Sequence, residues 1–116
     1  MQTGIYGLQY SNNRDGNAGI LVITADGKLA GGDPSFTYTG EWRQQGEEIT
    51  AVLHAKKHRL AMFASIFGPV EKLTIDGSGT IGGMGTTATT PIQLTATARE
   101  FPGIKINAVL TLLEAL

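Results

Sequence analysis

At 116 residues the chain has room for one domain, residues 1–116, built on a single core. It has no cysteine, which excludes disulfides and thiolate metal sites and makes a reducing compartment the natural reading. A formal net charge of −1 and a pI of about 6.1 supply no overall pull towards nucleic acid, no apolar run is long enough to span a bilayer, and no basic segment leads into an apolar one as a signal peptide would.

Gly4 to Ser11 reads as a first strand with Tyr6, Leu8 and Tyr10 on one face. The polar stretch Asn12 to Asn17 is a loop, because Asn, Asp and Gly tolerate positive φ. Ala18 to Ala25 is a second strand. Ile20 and Val22 make one face apolar, Leu21 and Ile23 the other, so both sides are expected to be covered. Asp26-Gly27 signals a two-residue hairpin, and Lys28 to Ala30 is a short third strand. Gly31-Gly32-Asp33-Pro34 then turns the chain. Pro34 has no N–H for a ladder and fits a strand start. The fourth strand alternates closely: Phe36, Tyr38, Gly40 and Trp42 face one way, and Ser35, Thr37, Thr39, Glu41 and Arg43 the other. These large rings make it the wall against which the other strands pack.

Gln44-Gln45-Gly46 is the next hairpin loop, and Glu47 to Lys56 a fifth strand with Ile49, Ala51, Leu53 and Ala55 inward. Leu60, Phe63, Ala64 and Phe67 follow at helical spacing and end at Gly68-Pro69. One short helix or an irregular excursion over the barrel mouth accounts for them. Val70 to Asp76 is a sixth strand, Gly77-Ser78-Gly79 a turn, and Ile81 to Thr90 a connection with no assigned structure. Pro91 to Phe101 is a seventh strand with Ile92, Leu94, Ala96 and Ala98 inward. After the Pro102-Gly103 turn, Ile104 to Leu113 is an eighth, with Ile106, Ala108, Leu110 and Leu112 inward. Eight short strands on mostly hairpin-length loops predict an all-β, antiparallel, eight-stranded up-and-down barrel or half-barrel. Its inner face mixes rings with Gly and Ala, which suits either a tapering filled interior or a small cavity.

Reaction chemistry is sparse. Gly77-Ser78-Gly79-Thr80-Ile81-Gly82 has the glycine spacing of a dinucleotide loop, but no βαβ unit surrounds it, and a glycine-rich loop is the expectation. His54 and His58 are four apart without a helix between them, so solvated surface histidines are expected rather than a metal pair. No catalytic, metal or cofactor site is expected, and the chain reads as a non-enzyme. Lys56-Lys57-His58-Arg59 is a basic strand end. The C-terminal run from Val109 to Leu116 carries more apolar residues than one buried face requires. Val109 and Leu113 fall on its outer face, and together with Leu116 they are the expected contacts of a homodimer.

Gly4-Ile5-Tyr6, Gly19-Ile20-Leu21, Gly27, Gly31-Gly32-Asp33 and Phe36-Thr37-Tyr38-Thr39-Gly40 occur in an order and spacing that resembles the GrlR family, small negative regulators of type III secretion in bacteria. The resemblance is strongest over residues 4–55. It implies a lipocalin-like barrel, a homodimer, a cytoplasmic location and repression by protein contact. In that family the characterised repressor binds a transcriptional activator and holds it from its promoter. The contact is associated with alternating acidic residues on a hairpin after the aromatic strand. The matching positions are Gln44, Gln45, Gly46, Glu47 and Glu48, of which Glu47 and Glu48 are acidic. A barrel that carries a small apolar ligand is the alternative function.

Overall fold

The computed structural model describes residues 1–12, 15–61, 70–83, 85–87 and 89–116. Eight strands follow one another: β1 (Gly4–Ser11), β2 (Gly16–Ile23), β3 (Lys28–Gly32), β4 (Phe36–Gln45), β5 (Glu48–Lys57), β6 (Lys72–Thr80), β7 (Ile92–Ala98) and β8 (Lys105–Ala115). Each pairs antiparallel with its neighbour in sequence, and β8 returns to β1 to close the barrel. Closure leaves none of these eight strands at a sheet edge, which decides between barrel and half-barrel.

The alternation read from the sequence places the core. Tyr6 and Leu8 of β1, Leu21 and Ile23 of β2, Phe36 and Tyr38 of β4, and Ile106, Ala108 and Leu110 of β8 are buried inside. Each fully buried large aliphatic or aromatic side chain contributes about 1.5–3 kcal/mol. The inner face is apolar, while Thr37, Thr39, Glu41, Arg43, His54 and Lys56 point outward into solvent. A barrel that crosses a membrane has the opposite polarity. Among the described residues no helix is long and apolar enough to cross a membrane.

Four expectations need correction. Gly77, Ser78 and Gly79 do not turn the chain; they continue β6, opposite Ala51, Thr50 and Ile49 of β5 and Ala96, Thr95 and Leu94 of β7. Glycine serves close approach there: a Cβ on Gly79 would lie 2.4 Å from the Gln93 carbonyl oxygen. The β2–β3 link is also longer than two residues. Thr24 to Gly27 form it, with the Gly27 amide donating to the Thr24 carbonyl oxygen at 3.3 Å and φ +82° at Gly27. Asp26 keeps a negative φ, so the turn with two left-handed residues that Asp-Gly favours does not form. On β2, only one face is covered. Leu21 and Ile23 are buried, but Ile20 is 43% exposed on the outside. His58, finally, is not a solvated surface histidine but half-buried. The chain leaving β5 folds back over the β3–β4 turn, so that His58 N–H donates to the Ser35 carbonyl oxygen at 3.0 Å. The expected helical stripe lies outside the described residues except for Leu60, which is exposed.

Candidate functional site

The strand directions sort the loops into two ends. The β2–β3 and β4–β5 hairpins, the 81–91 connection and both chain termini share one end. The β1–β2, β3–β4 and β7–β8 links share the other, where β5 also ends and β6 begins.

At the first end, Gln44, Gln45, Gly46, Glu47 and Glu48 form the exposed tip of the β4–β5 hairpin. Gln44 pairs with Ile49 and Gln45 with Glu48, and the turn residues are Gly46 and Glu47. Gly46 has φ +61°, which a two-residue turn with glycine in its first central position requires. The tip is anchored from both sides. The Met1 ammonium donates to Gln44 Oε1, and the Ile81 amide donates to the Glu47 carbonyl oxygen at 2.7 Å. Both glutamates face solvent, so the hairpin presents two negative charges on a fixed backbone.

Of the expected dimer contacts, Leu113 is 56% and Leu116 69% exposed, and Val109 is half-buried on the outer face. The pairing of β1 with β8 shifts register beside Leu113: Ile5 faces Glu114 while Tyr6 faces Leu112. Leu113 therefore lies outside, over Gly7, where a Cβ would sit 3.5 Å from its Cδ1. Gly7 also pairs with Ile20, so the exposed Ile20 side chain joins this patch across three strands. The alternation of β2 predicts a covered Ile20 and does not reveal this place, which only the register of β1 with β2 and β8 supplies.

Inside the barrel is a cavity of about 100 Å³. Aliphatic side chains such as Leu21, Leu29, Leu53 and Leu94 line its middle, with Met1 and Trp42 towards the hairpin end. Tyr10, Asp33 and Tyr38 line the opposite end. There the Asp33 carboxylate is an acceptor on both oxygens. Oδ1 takes the backbone N–H of Ser35 and of Phe36, each at 2.7 Å, and Oδ2 takes both phenol hydroxyls, Tyr10 at 2.5 Å. The His58 ring meets the Asp33 carbonyl oxygen at 3.1 Å. The local sequence explains the first pair of bonds: an Asp two residues before a turn amide closes an Asx turn, and Pro34 fixes its φ. The fold supplies the second pair by bringing the end of β1 and the start of β4 to the same rim. The alternation alone places Tyr10 and Tyr38 on strand faces and Asp33 in the turn before β4, with nothing in it to link the three.

Burial pushes the Tyr10 and Tyr38 hydroxyls well above the ordinary tyrosine range, and the Asp33 carboxylate beside them adds to the shift. Burial raises Tyr6 as well. The unfolded value is 10.0, so the folded chain holds these protons where the unfolded chain releases them. Stability is thus fully present below about pH 10 and falls as pH rises further, by up to about 1.4 kcal/mol per pH unit for each tyrosine. In an alkaline titration followed by near-ultraviolet absorbance, tyrosinate is expected to appear only together with loss of the barrel's circular dichroism. A phenol that ionises near pH 10 in the folded protein would contradict this.

The remaining candidates do not assemble. His54 is exposed on the outer face of β5, while His58 lies past the strand end against Asp33. Among the described residues no group of three His, Asp or Glu is placed to hold a metal ion. Lys56, Lys57 and Arg59 are exposed at the end of β5. Among the described residues the outer face of the sheet carries the solvent-exposed ion pairs Lys28–Glu41 at 2.9 Å and Arg99–Asp76 at 2.8 Å. Pairs of this kind contribute little and are screened by salt. No family model matches the chain, and no curated protein matches it.

Proposed function

We propose that the chain is a non-enzymatic regulatory binding protein of GrlR type, a cytoplasmic negative regulator of type III secretion that acts by contact with a transcriptional activator. The observation that carries this reading is the β4–β5 hairpin, whose tip holds Glu47 and Glu48 exposed at one end of a closed eight-stranded barrel. The barrel agrees with the architecture the resemblance implies. Two fixed carboxylates suit a basic surface on a protein partner, with electrostatics setting specificity and encounter rate more than affinity. The test is affinity capture of the tagged protein from its native cell lysate, beside a Glu47→Lys, Glu48→Lys double mutant. A transcriptional regulator is expected with the wild type and not with the mutant. A regulator held equally by both, or by neither, would overturn the assignment.

The same reading includes a homodimer. The patch of Ile20 and Leu113, with Val109 beside it and Leu116 at the chain end, is the apolar surface that a second copy would cover. Light scattering at micromolar concentration is expected to give twice the chain mass, and Leu113→Asp to give the monomer. A monomeric wild type would sink the dimer and leave the hairpin test untouched.

A second reading rests on the cavity: a barrel that takes a small apolar ligand. Its volume of about 100 Å³ is below the roughly 300–1,000 Å³ of sites for drug-sized ligands, and below the ~150 Å³ cavity that admits benzene. The occupant is therefore a molecule of few heavy atoms.

A further inference from the structure

We propose that Met1, Gln2 and Thr3 form the gate of this cavity and that Gln44, in the β4–β5 hairpin, is its latch, so that a molecule seated on the hairpin tip controls entry to the barrel. The proposal rests on the ligand-binding reading and adds to it a route and a control. Its basis is what closes each end. Thr3 still follows β8: its carbonyl oxygen accepts the Leu116 N–H at 3.2 Å, and its hydroxyl donates to the Leu116 carbonyl oxygen at 3.4 Å. The Met1 nitrogen, by contrast, donates to Gln44 Oε1 on β4, which β2 and β3 separate from β1. Between them the Gln2 carbonyl oxygen accepts the Tyr6 hydroxyl at 2.5 Å. Met1 is half-buried, packs against the core and lines the cavity. The segment therefore crosses the mouth at the hairpin end, with the Met1 side chain as its stopper.

Among the described residues the two ends differ in how firmly they are shut. At the far end the Asp33 carboxylate ties the β3–β4 turn together through the Ser35 and Phe36 amides and both phenols, and Ser35, Phe36 and Tyr38 are buried. At the hairpin end Gln2 is exposed, and beyond Thr3 the segment is held by the buried Tyr6 bond and the exposed Gln44 bond. Local opening favours segments with few buried contacts and solvent-exposed hydrogen bonds. Lifting Met1 and Gln2 clears the stopper without breaking a strand pairing, whereas clearing the far end takes apart the Asp33 cluster. Lifting also strands the Tyr6 hydroxyl and takes the Met1 side chain into water, so the open state is a minor one. Gln44 is where this gate meets the surface proposed to take a protein partner. A partner that engages the Gln44 side chain releases the Met1 nitrogen and raises the open population by that bond's worth.

The test uses the full chain and xenon, a monatomic probe smaller than benzene that enters dry apolar cavities. Xenon is dissolved under pressure; occupancy is read from the methyl NMR shifts of Leu21, Leu29 and Leu53, and the exchange rate from xenon saturation transfer. Gln44→Ala is expected to leave occupancy unchanged and to raise the exchange rate about fivefold, the size of one hydrogen bond. Tyr6→Phe is expected to raise it by a similar factor, and Tyr10→Phe, which loosens only the far end, to leave it unchanged. Gln44 is exposed, so its variant keeps the barrel and decides the question even if the tyrosine variants do not fold. A rate unchanged in Gln44→Ala, or raised by Tyr10→Phe instead, would overturn the gate while leaving the cavity as a ligand site. Xenon that does not enter the wild-type cavity would overturn the ligand-binding reading with it.

Discussion

Gly40→Ala is expected to destabilise the protein by about 3 kcal/mol or more, while Gly77→Ala is neutral or stabilises it by about 0.4–1 kcal/mol. Both glycines face the barrel interior on paired strands, and both substitutions add one methyl group. The backbone beneath them differs. A Cβ on Gly40 would lie 2.0 Å from the Val52 carbonyl oxygen and 3.0 Å from its carbon. Those atoms belong to the next strand's backbone, which cannot swing aside as a side chain can. Gly31 is the same case one strand earlier, with its Cβ 1.9 Å from the Ile20 carbonyl oxygen. Together they let β2–β3 and β4–β5 coil tightly enough to close the sheet, which is the use of glycine at barrel corners. At Gly77 the added carbon would meet the Ala96 Cβ at 3.8 Å, an ordinary contact. There the substitution mainly restricts the unfolded chain. Thermal melting separates the two: Gly40→Ala is expected to lower Tm by about 10–20 °C, and Gly77→Ala to leave or raise it. Equal shifts in the two variants would mean that closure does not depend on close approach at Gly40.

These two positions also show what was legible in the sequence. Period-two alternation fixed the strands and their inner faces, because a one-residue error would expose a whole hydrophobic set. Tyr6, Leu8, Phe36, Tyr38, Ile106 and Leu110 are buried as that pattern requires. Glycine was the ambiguous letter. It marks turns through positive φ, as at Gly46, and close approach inside strands, as at Gly79, and composition does not separate the two uses. Hence Gly77-Ser78-Gly79 looked like a turn and is strand. Closure was not legible either, since β1 and β8 meet only through contacts about a hundred residues apart in sequence. The hairpin was legible from Gly46 between two alternating runs, but its turn is Gly46-Glu47 rather than Gln44-Gln45-Gly46, because Gln44 and Gln45 continue β4 opposite Ile49 and Glu48. The cluster at the cavity end was half legible. Asp33-Pro34-Ser35 carries an Asx-turn signal. Only the barrel register brings Tyr10 and Tyr38 to it, and each tyrosine alone reads as another inward ring.

Asp33→Ala is the second large effect, with an expected loss of about 3–5 kcal/mol in denaturant unfolding. The substitution removes one small side chain from the rim yet strands four donors: the Ser35 and Phe36 amides and the Tyr10 and Tyr38 hydroxyls. A buried donor left without an acceptor costs about 1–3 kcal/mol, and not all four can turn to water. Ser35 is 1% and Tyr38 4% exposed, so the rim has little room for replacement solvent. Asp33→Asn keeps one oxygen for the amides but turns an NH₂ towards the phenols, and is expected to lose less. The decisive experiment is a cycle in which Tyr10→Phe and Tyr38→Phe are combined with Asp33→Ala. Removing both sides of a buried hydrogen bond costs less than removing one, so the triple variant is expected to be more stable than the sum of its parts by at least about 1 kcal/mol. Simple additivity would mean that the phenols find other acceptors when Asp33 is gone.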